Sequence, residues 1–418
     1  MGIKRLWQHY SKTYFEQSVL IYPLITFRVI FGVLMMYSTA QFMAMGWVDN
    51  HYVDPVFHFS YYGFEWVKPL GRVGMYMVHL LLVFSALMVT LGYYYRIATV
   101  ILFLTFTYTE LIDLTYYLNH YYFVSLVSFL LIFLPANRCL SLDVRFHRIT
   151  YANHIPRWTT DGLKLMLAIV YCYAGLAKIN ADWLLDAMPL KLWLPVHDKM
   201  PLLGLFFKWD WTPYLFSWAG MLFDCTVIFF LAYQPSRKLA YVAILAFHAL
   251  TGLLFNIGVF PIVMISLVTI YFSDQWHQSV LQTMASLFDR QHLKLLAQTE
   301  LIPYQYPKRL RPILRSSLVL FFVVQLLFPW RYLLYPGNVF WTEQGYRFSW
   351  RVMLMEKSGS ATFFVKDGVT GREGEVINSR FLNPQQIKHM SMQPDMILQY
   401  AHFLGAYYEK ENVQQPEV

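Results

Sequence analysis

Residues 163–183 read LKLMLAIVYCYAGLAKINADW. A long apolar run ends at Lys178, and Asp182 and Trp183 follow at once. A run of this kind is a membrane helix if its neighbours are alike, and a buried core helix otherwise. They are alike. Apolar runs of helical length recur near 19–40, 73–92, 97–112, 120–135, 162–178, 213–232, 239–256, 258–272 and 314–330. Hydrophobic residues make up 57% of the 418 and charged residues only 14%, where soluble chains carry about a quarter charged. The pattern predicts an all-α multi-pass membrane helix bundle of about nine spans. The N-terminal MGIKRLWQHYSKTYFEQS is too polar for a cleavable signal peptide, and the first apolar run is long enough to stay as an anchor. Abundant aromatic residues fit interfacial belts.

The formal charge of +8 is not spread evenly. Lys and Arg crowd one set of loops (Lys4, Arg5, Lys12; Arg96; Arg138, Arg145, Arg148, Arg157; Arg237, Lys238; Arg290, Lys294, Lys308, Arg309, Arg311). They thin out in the alternate set (Lys68, Arg72, Lys191, Lys199, Lys208). The bias predicts N-terminus inside and, with nine spans, C-terminus outside. It fits membrane topology better than nucleic-acid binding, so membrane lipids are the expected surroundings and no nucleic acid is an expected partner. Cys139, Cys172 and Cys225 are widely spaced, which argues against a disulfide framework or a zinc cluster, and no metal site is expected.

After residue 330 the composition changes. SWRVMLMEKSGSATFFVKDGVTGREGEVI (349–377) alternates apolar and polar residues around the turn signals KSGS and KDGVTGREG, as antiparallel strands do. NPQQIKHMSMQPDMILQYAHFLGAYYEK (383–410) reads as one or two helices. Two domains are expected: a membrane domain over 1–330 and a small extracytoplasmic α+β domain over 331–418.

With this topology several polar side chains meet near one depth. Lys178 ends the fifth span, Asn119 and His120 open the fourth, Asp113 closes the third, and His248 lies about two turns inside the seventh. Each has a plain structural reading. A lysine at a helix end snorkels to headgroups, Asn119 and His120 cap a helix, Asp113 is a surface charge, and His248 is a packed histidine. Arg28, well inside the first run, must pair internally or line a cavity. No phosphate loop, HExxH or nucleophile elbow is present. Together these groups suggest chemistry. A partly buried lysine loses stabilisation of its ammonium form, which makes it a general base, with a histidine and an amide to orient it. The substrate of such a site would be lipophilic, with a second one arriving from water.

The chain resembles the vitamin K-dependent γ-glutamyl carboxylases, within the wider group of HTTM-domain membrane proteins. The resemblance is carried by ELIDLTYYLNHYYF (110–123), LPANRCLSLD (134–143), AGLAKINADW (174–183), FHALTGLLFNIGVFPIVM (247–264), and GYRFSWRVMLMEKS (345–358) with VKDGVTGREGEV (365–376). It implies that Lys178 is the base that deprotonates reduced vitamin K (phylloquinol or menaquinol). Oxygen addition then yields a strong base and finally the quinone epoxide. That base takes a γ-proton from a glutamate of a protein or peptide partner, and the carbanion adds CO2. His120 is implied to support Lys178, and Asn119, Asp113 and His248 to bind the cofactor. Trp350 is implied on the side where glutamate enters.

The chain departs from the family in three ways. It is much shorter than the animal enzymes. Arg351 replaces an aspartate after Ser-Trp, and Ala177 replaces a lysine beside Lys178. A short chain of this kind points to a bacterial inner membrane with the site facing outward, although an endoplasmic reticulum membrane is compatible. Two other readings remain: a quinol epoxidase that does not carboxylate peptides, and a non-enzymatic transporter or assembly protein in which Lys178 and Asp113 form a structural pair.

Overall fold

The computed structural model of the chain describes residues 14–15, 17–255, 257–288, 296 and 300–418. Of the charges used above for orientation, Lys4, Arg5, Lys12, Arg290 and Lys294 lie outside the described residues.

Every expected apolar run contains a helix: α1 Tyr22–Ala44, α2 Gly71–Leu91, α3 Tyr95–Leu111, α4 Asn119–Phe133, α5 Trp158–Ala177, α6 Thr212–Ala232, α7 Arg237–Leu254, α8 Phe260–Leu267, and, after an amphipathic helix α9 Asp274–Phe288, α10 Arg311–Leu327. The count of nine spans is not confirmed. By length and composition, 6 of the described helices can cross a membrane: α1, α2, α5, α6, α7, and the segment Leu310–Leu334 built on α10. The others are short. α3 has 17 residues and α4 has 15, so they rise about 26 and 22 Å against a hydrocarbon layer of about 30 Å. α8 is shorter still and tightens into a 3-10 turn over Val268–Tyr271. Proline sits at the first or second position of α1, α6, α8 and α10, where its missing N–H costs nothing. Gly92 ends α2 in the left-handed conformation, and a side chain there would run into the Arg28 guanidinium.

Two short strands, β1 Ser18–Leu20 and β2 His154–Pro156, pair antiparallel with Val19 opposite Ile155. Buried Asn153 extends this seam. Its carbonyl accepts from Ile21, its side-chain oxygen from the Ile302 N–H, and its amide donates to the Glu300 carbonyl. The segments leading into α1, α5 and α10 are therefore joined at one end of the bundle. Arg28 belongs to the same end: it donates to the carbonyls of Ala136 (2.7 Å) and Leu140 (2.5 Å), closing the 134–143 loop. Outward apolar residues such as Leu80, Phe84 and Leu91 on α2 are exposed, as lipid-facing residues are.

The C-terminal segment contains less sheet than its alternation suggested. Only β3 Phe364–Lys366 and β4 Glu373–Glu375 pair, around the KDGVTGREG turn, while 351–363 is irregular. Helices α11 Pro384–Met390 and α12 Pro394–Lys410 follow, the first closed by an Asn383–Gln386 capping box. The alternating residues are used otherwise. Phe363 and Val365 pack with Val376, Phe381, Met390, Met396, Tyr400 and Leu404, together with Phe59, Tyr61 and Leu114 from loops of the helix bundle. One apolar core thus spans the appended segment and the bundle end beneath it.

α5 carries the two ends of the molecule about 30 Å apart. Arg148 and Asp182 are exposed at its opposite ends. In sealed membranes, an impermeant thiol reagent should label Arg148→Cys and Asp182→Cys from opposite sides. Labelling of both from one side would overturn the transmembrane path of α5.

Candidate active site

Lys178 follows the last residue of α5, and the five residues after it determine where its side chain goes. The Asn180 side chain accepts from the Trp183 N–H (2.9 Å) and donates to the Ala177 carbonyl (3.0 Å), which folds the chain back in a capped turn. Trp183 is then locked by its indole N–H on the Ser217 carbonyl of α6 (2.9 Å). The lysine does not snorkel. Its residue is 7% exposed, and Nζ donates to Asp224 Oδ2 on α6 at 2.7 Å and to the Ala174 carbonyl at 3.3 Å, 5.4 Å from the Trp183 ring centre.

This pair requires α5 and α6 to touch. At Gly175 a β-carbon would lie 2.6 Å from the Cys225 backbone nitrogen and 3.0 Å from the Asp224 carbonyl carbon, so only glycine fits. Asp224, alone among apolar neighbours in MLFDCTV, is the partner of Lys178 on the cavity wall that the sequence reading missed. Its signal was plain: an isolated carboxylate inside a membrane run has a partner or a task.

Lys178 and Asp224 open onto a cavity of about 1160 Å³ whose wall also includes His120, Asn119 and His248. Four of the six expected site residues are thus brought together. His120 stacks on Phe260 of α8 (5.3 Å), and among the described residues its ring nitrogens meet no hydrogen-bond partner. His248 shares a hydrogen bond of 2.9 Å between Nε2 and the Tyr171 hydroxyl, leaving Nδ1 buried and unpartnered. Asn119 does not cap α4, whose cap position is Leu118. Its oxygen accepts from the Tyr117 hydroxyl (3.0 Å), and its amide donates to the Arg351 carbonyl (2.8 Å).

Asp113 and Trp350 are not on the wall. Asp113 is no surface charge and does not pair with Lys178. Its carboxylate accepts from the Thr115 N–H (2.9 Å) and hydroxyl (2.6 Å) and from Gln386 of α11 (2.7 Å), bracing the 114–118 turn from behind. Trp350 is 1% exposed and stacks on Tyr122 at 5.0 Å, with its indole nitrogen unpartnered. What reaches the wall from that segment is its neighbour Arg351, along with Tyr346. The cavity continues past Glu110 on α3 to His51, whose ring stacks on Tyr116 (3.9 Å) and whose pKa burial pulls down to about 4, leaving it neutral.

Two outcomes follow. Gly175→Ala should destabilise the protein by about 1–3 kcal/mol, read as a lower thermal unfolding midpoint, because backbone cannot yield as a side-chain tip can. Burial pushes the Asp113 carboxyl up from 3.8 to about 6, against the opposing hydrogen bonds of Thr115 and Gln386. A folded-state pKa above the unfolded one means stability falls as pH rises from 3.8 to about 6, by roughly 2–3 kcal/mol, and then levels off. Asp113→Asn should flatten the unfolding midpoint across that window. An unchanged slope would remove Asp113 as its source.

The family model of the HTTM domain matches residues 17–276, and that of the vitamin K-dependent gamma-carboxylase lumenal domain matches residues 310–418. No solved structure matches the chain. The first match covers the helices that bring Lys178, Asp224, His120 and His248 to the cavity, and the second covers Tyr346, Arg351 and α11, whose Gln385 and His389 also line it. The chain belongs to the vitamin K-dependent γ-glutamyl carboxylase family of HTTM-domain membrane proteins.

Proposed function

We propose that this integral membrane protein is a γ-glutamyl carboxylase that uses reduced vitamin K, O2 and CO2, with Lys178 as the base that starts the reaction. The observation that carries the reading is the buried Lys178 amine on the cavity wall, held by Asp224 at 2.7 Å, with His120 on the same wall. The cavity suits an aromatic hydroquinone with an apolar tail: Phe42, Tyr121, Phe247 and Phe260 line it, and its volume of about 1160 Å³ is at the upper end for small-molecule sites. When bound, reduced vitamin K supplies a hydroquinone whose oxidation by O2 yields a base strong enough to take a glutamate γ-proton.

The chain's own groups have separable roles. Asp224 fixes the amine and offers a second atom, Oδ2, on which the proton between them can reside. The amine can then present its lone pair to a ligand hydroxyl. His120, free of protein partners among the described residues, can donate to or accept from the ligand as its tautomer dictates. His248 is oriented by Tyr171. Asn119 works through its grip on Arg351, and Asp113 through the turn it braces. In this reading residues 1–330 form the catalytic domain and 331–418 an extracytoplasmic domain over a site that faces outward, in a bacterial inner membrane.

The test is epoxide formation from reduced vitamin K by the purified, oxygenated protein, which needs no knowledge of the peptide. Lys178→Ala should abolish it, and Asp224→Asn should lower it by about 10²-fold or more. Removing the lysine alone leaves a buried carboxylate unpaired, which destabilises. The double variant Lys178→Met/Asp224→Asn should therefore recover yield without activity. Epoxide formation by that folded double variant, or none by the wild type, would overturn the assignment.

A further inference from the structure

The structure carries a second charged feature that the amine chemistry does not use. Arg351 is 8% exposed, lines the cavity, and has a buried Nε with no hydrogen-bond partner. Its guanidinium lies 4.3 Å from the Tyr332 ring centre and 5.6 Å from that of Phe340, and its one side-chain partner among the described residues is the neutral Tyr332 hydroxyl. Among the described residues no carboxylate stands within ion-pair distance of it, 4.0 Å.

Three acids at this end of the bundle are already engaged. Glu343 pairs with Lys357 at 2.7 Å, Glu356 accepts from the Trp193 indole at 2.9 Å, and Asp224 holds Lys178. Glu110, also on the cavity wall, has no ion pair among the described residues. A desolvated guanidinium is tolerated when an anion completes it, and its planar fork matches a carboxylate.

The backbone is built to hold this cation in place. Phe348, Trp350 and Met353 all have positive φ (59°, 60° and 53°), a conformation that costs side-chain-bearing residues energy and persists only where the surroundings enforce it. They do enforce it. The Tyr117 hydroxyl accepts from the Phe348 N–H at 2.7 Å, and Asn119 donates to the Arg351 carbonyl at 2.8 Å. Both clamps come from the turn that opens α4, one residue from His120. The cation is therefore fixed beside the same helix start that supplies the histidine.

We propose that Arg351 is the anchor for the side-chain carboxylate of a peptide glutamate. This deepens the carboxylase reading and rests on it: the anchor selects glutamate over its amide and holds it in the cavity that Lys178 shares. A glutamate carboxylate pairs with the guanidinium fork, while glutamine, with one acceptor and no charge, leaves its charge unbalanced. The site would thus take an acidic side chain presented on an otherwise neutral, apolar segment, since Phe340 and Tyr346 surround the cation.

The experiment is equilibrium binding, without turnover, of two blocked tripeptides, acetyl-Leu-Glu-Leu-amide and acetyl-Leu-Gln-Leu-amide, to the full-length protein in phosphatidylcholine nanodiscs. The wild type should prefer the glutamate peptide by about tenfold or more. Arg351→Gln should lose that preference, and Arg351→Lys should keep part of it. A Glu-over-Gln preference that survives in Arg351→Gln overturns the anchor, as does its absence in the wild type. So does stabilisation, dependent on Arg351, by added phosphatidylglycerol with none by the glutamate peptide, which would give the site to a lipid phosphate. If Arg351→Gln does not fold, the Lys variant decides: a reduced preference there supports the anchor, and full retention with unchanged affinity overturns it. Failure of the carboxylase reading looks different, with the preference intact and no CO2 incorporated.

Discussion

The site depends on one contact between two helices. A lysine and an aspartate can be buried together only if they meet at hydrogen-bond distance, since either alone in an apolar layer is costly and the pair roughly offsets its own desolvation. Gly175 allows that distance. By bringing the backbones of α5 and α6 into contact, it lets Asp224 reach Nζ, and the amine turns inward to the cavity and not outward to headgroups. The capped turn at Asn180 and the Trp183–Ser217 lock serve the same end, because they stop the chain just where the lysine leaves the helix. A pair of this kind contributes little net stability. What it contributes is position.

The appended segment is part of the site and not merely a lid set beside it. Asp113 binds Gln386 of α11, the 54–61 loop hydrogen-bonds to Phe381, and the turn before α4 grips Phe348 and Arg351. The first and last of these bonds join the appended segment to one short stretch of sequence, 113–120. That stretch therefore serves two surfaces at once. One face carries His120 to the cavity, and the other holds the loop that brings Arg351 there. Asp113, which looked like a ligand, does its work at this joint.

Much of this was legible in the residues. Periodicity and composition located each membrane helix, because apolar runs of that length, in a chain so poor in charge, are stable only in a bilayer or a core. Lys178, His120, Asn119 and His248 were picked out by sitting near helix ends at one depth, and they do share a wall. Two things were hidden. Which runs cross the membrane was one, since α3, α4 and α8 rise less than a hydrocarbon layer while their apolar runs read like the rest. The partner of Lys178 was also missed, because distance along the chain says nothing of which faces of α5 and α6 touch. Gly175 was the clue, as a small residue one turn before a buried charge marks close approach. Likewise, the alternation in 349–377 proved to be the inward and outward faces of an irregular loop. Only β3 and β4 have a partner strand to make that alternation a sheet.

The distribution of unsatisfied groups separates the working end of the bundle from the structural one. Around β1 and β2, Asp143 accepts from the Tyr94 and Tyr95 N–H groups and from Asn137, and Asn153 is bonded on every side. At the other end, His51 Nδ1, His248 Nδ1 and Arg351 Nε are buried without partners, and all three residues line the cavity. Arg28 Nε and both ring nitrogens of His277, at the β1–β2 end, depart from this pattern. Leaving such atoms unpaired costs the fold about 1–3 kcal/mol each. On the cavity wall that cost falls on His51, His248 and Arg351, whose open atoms a ligand would complete.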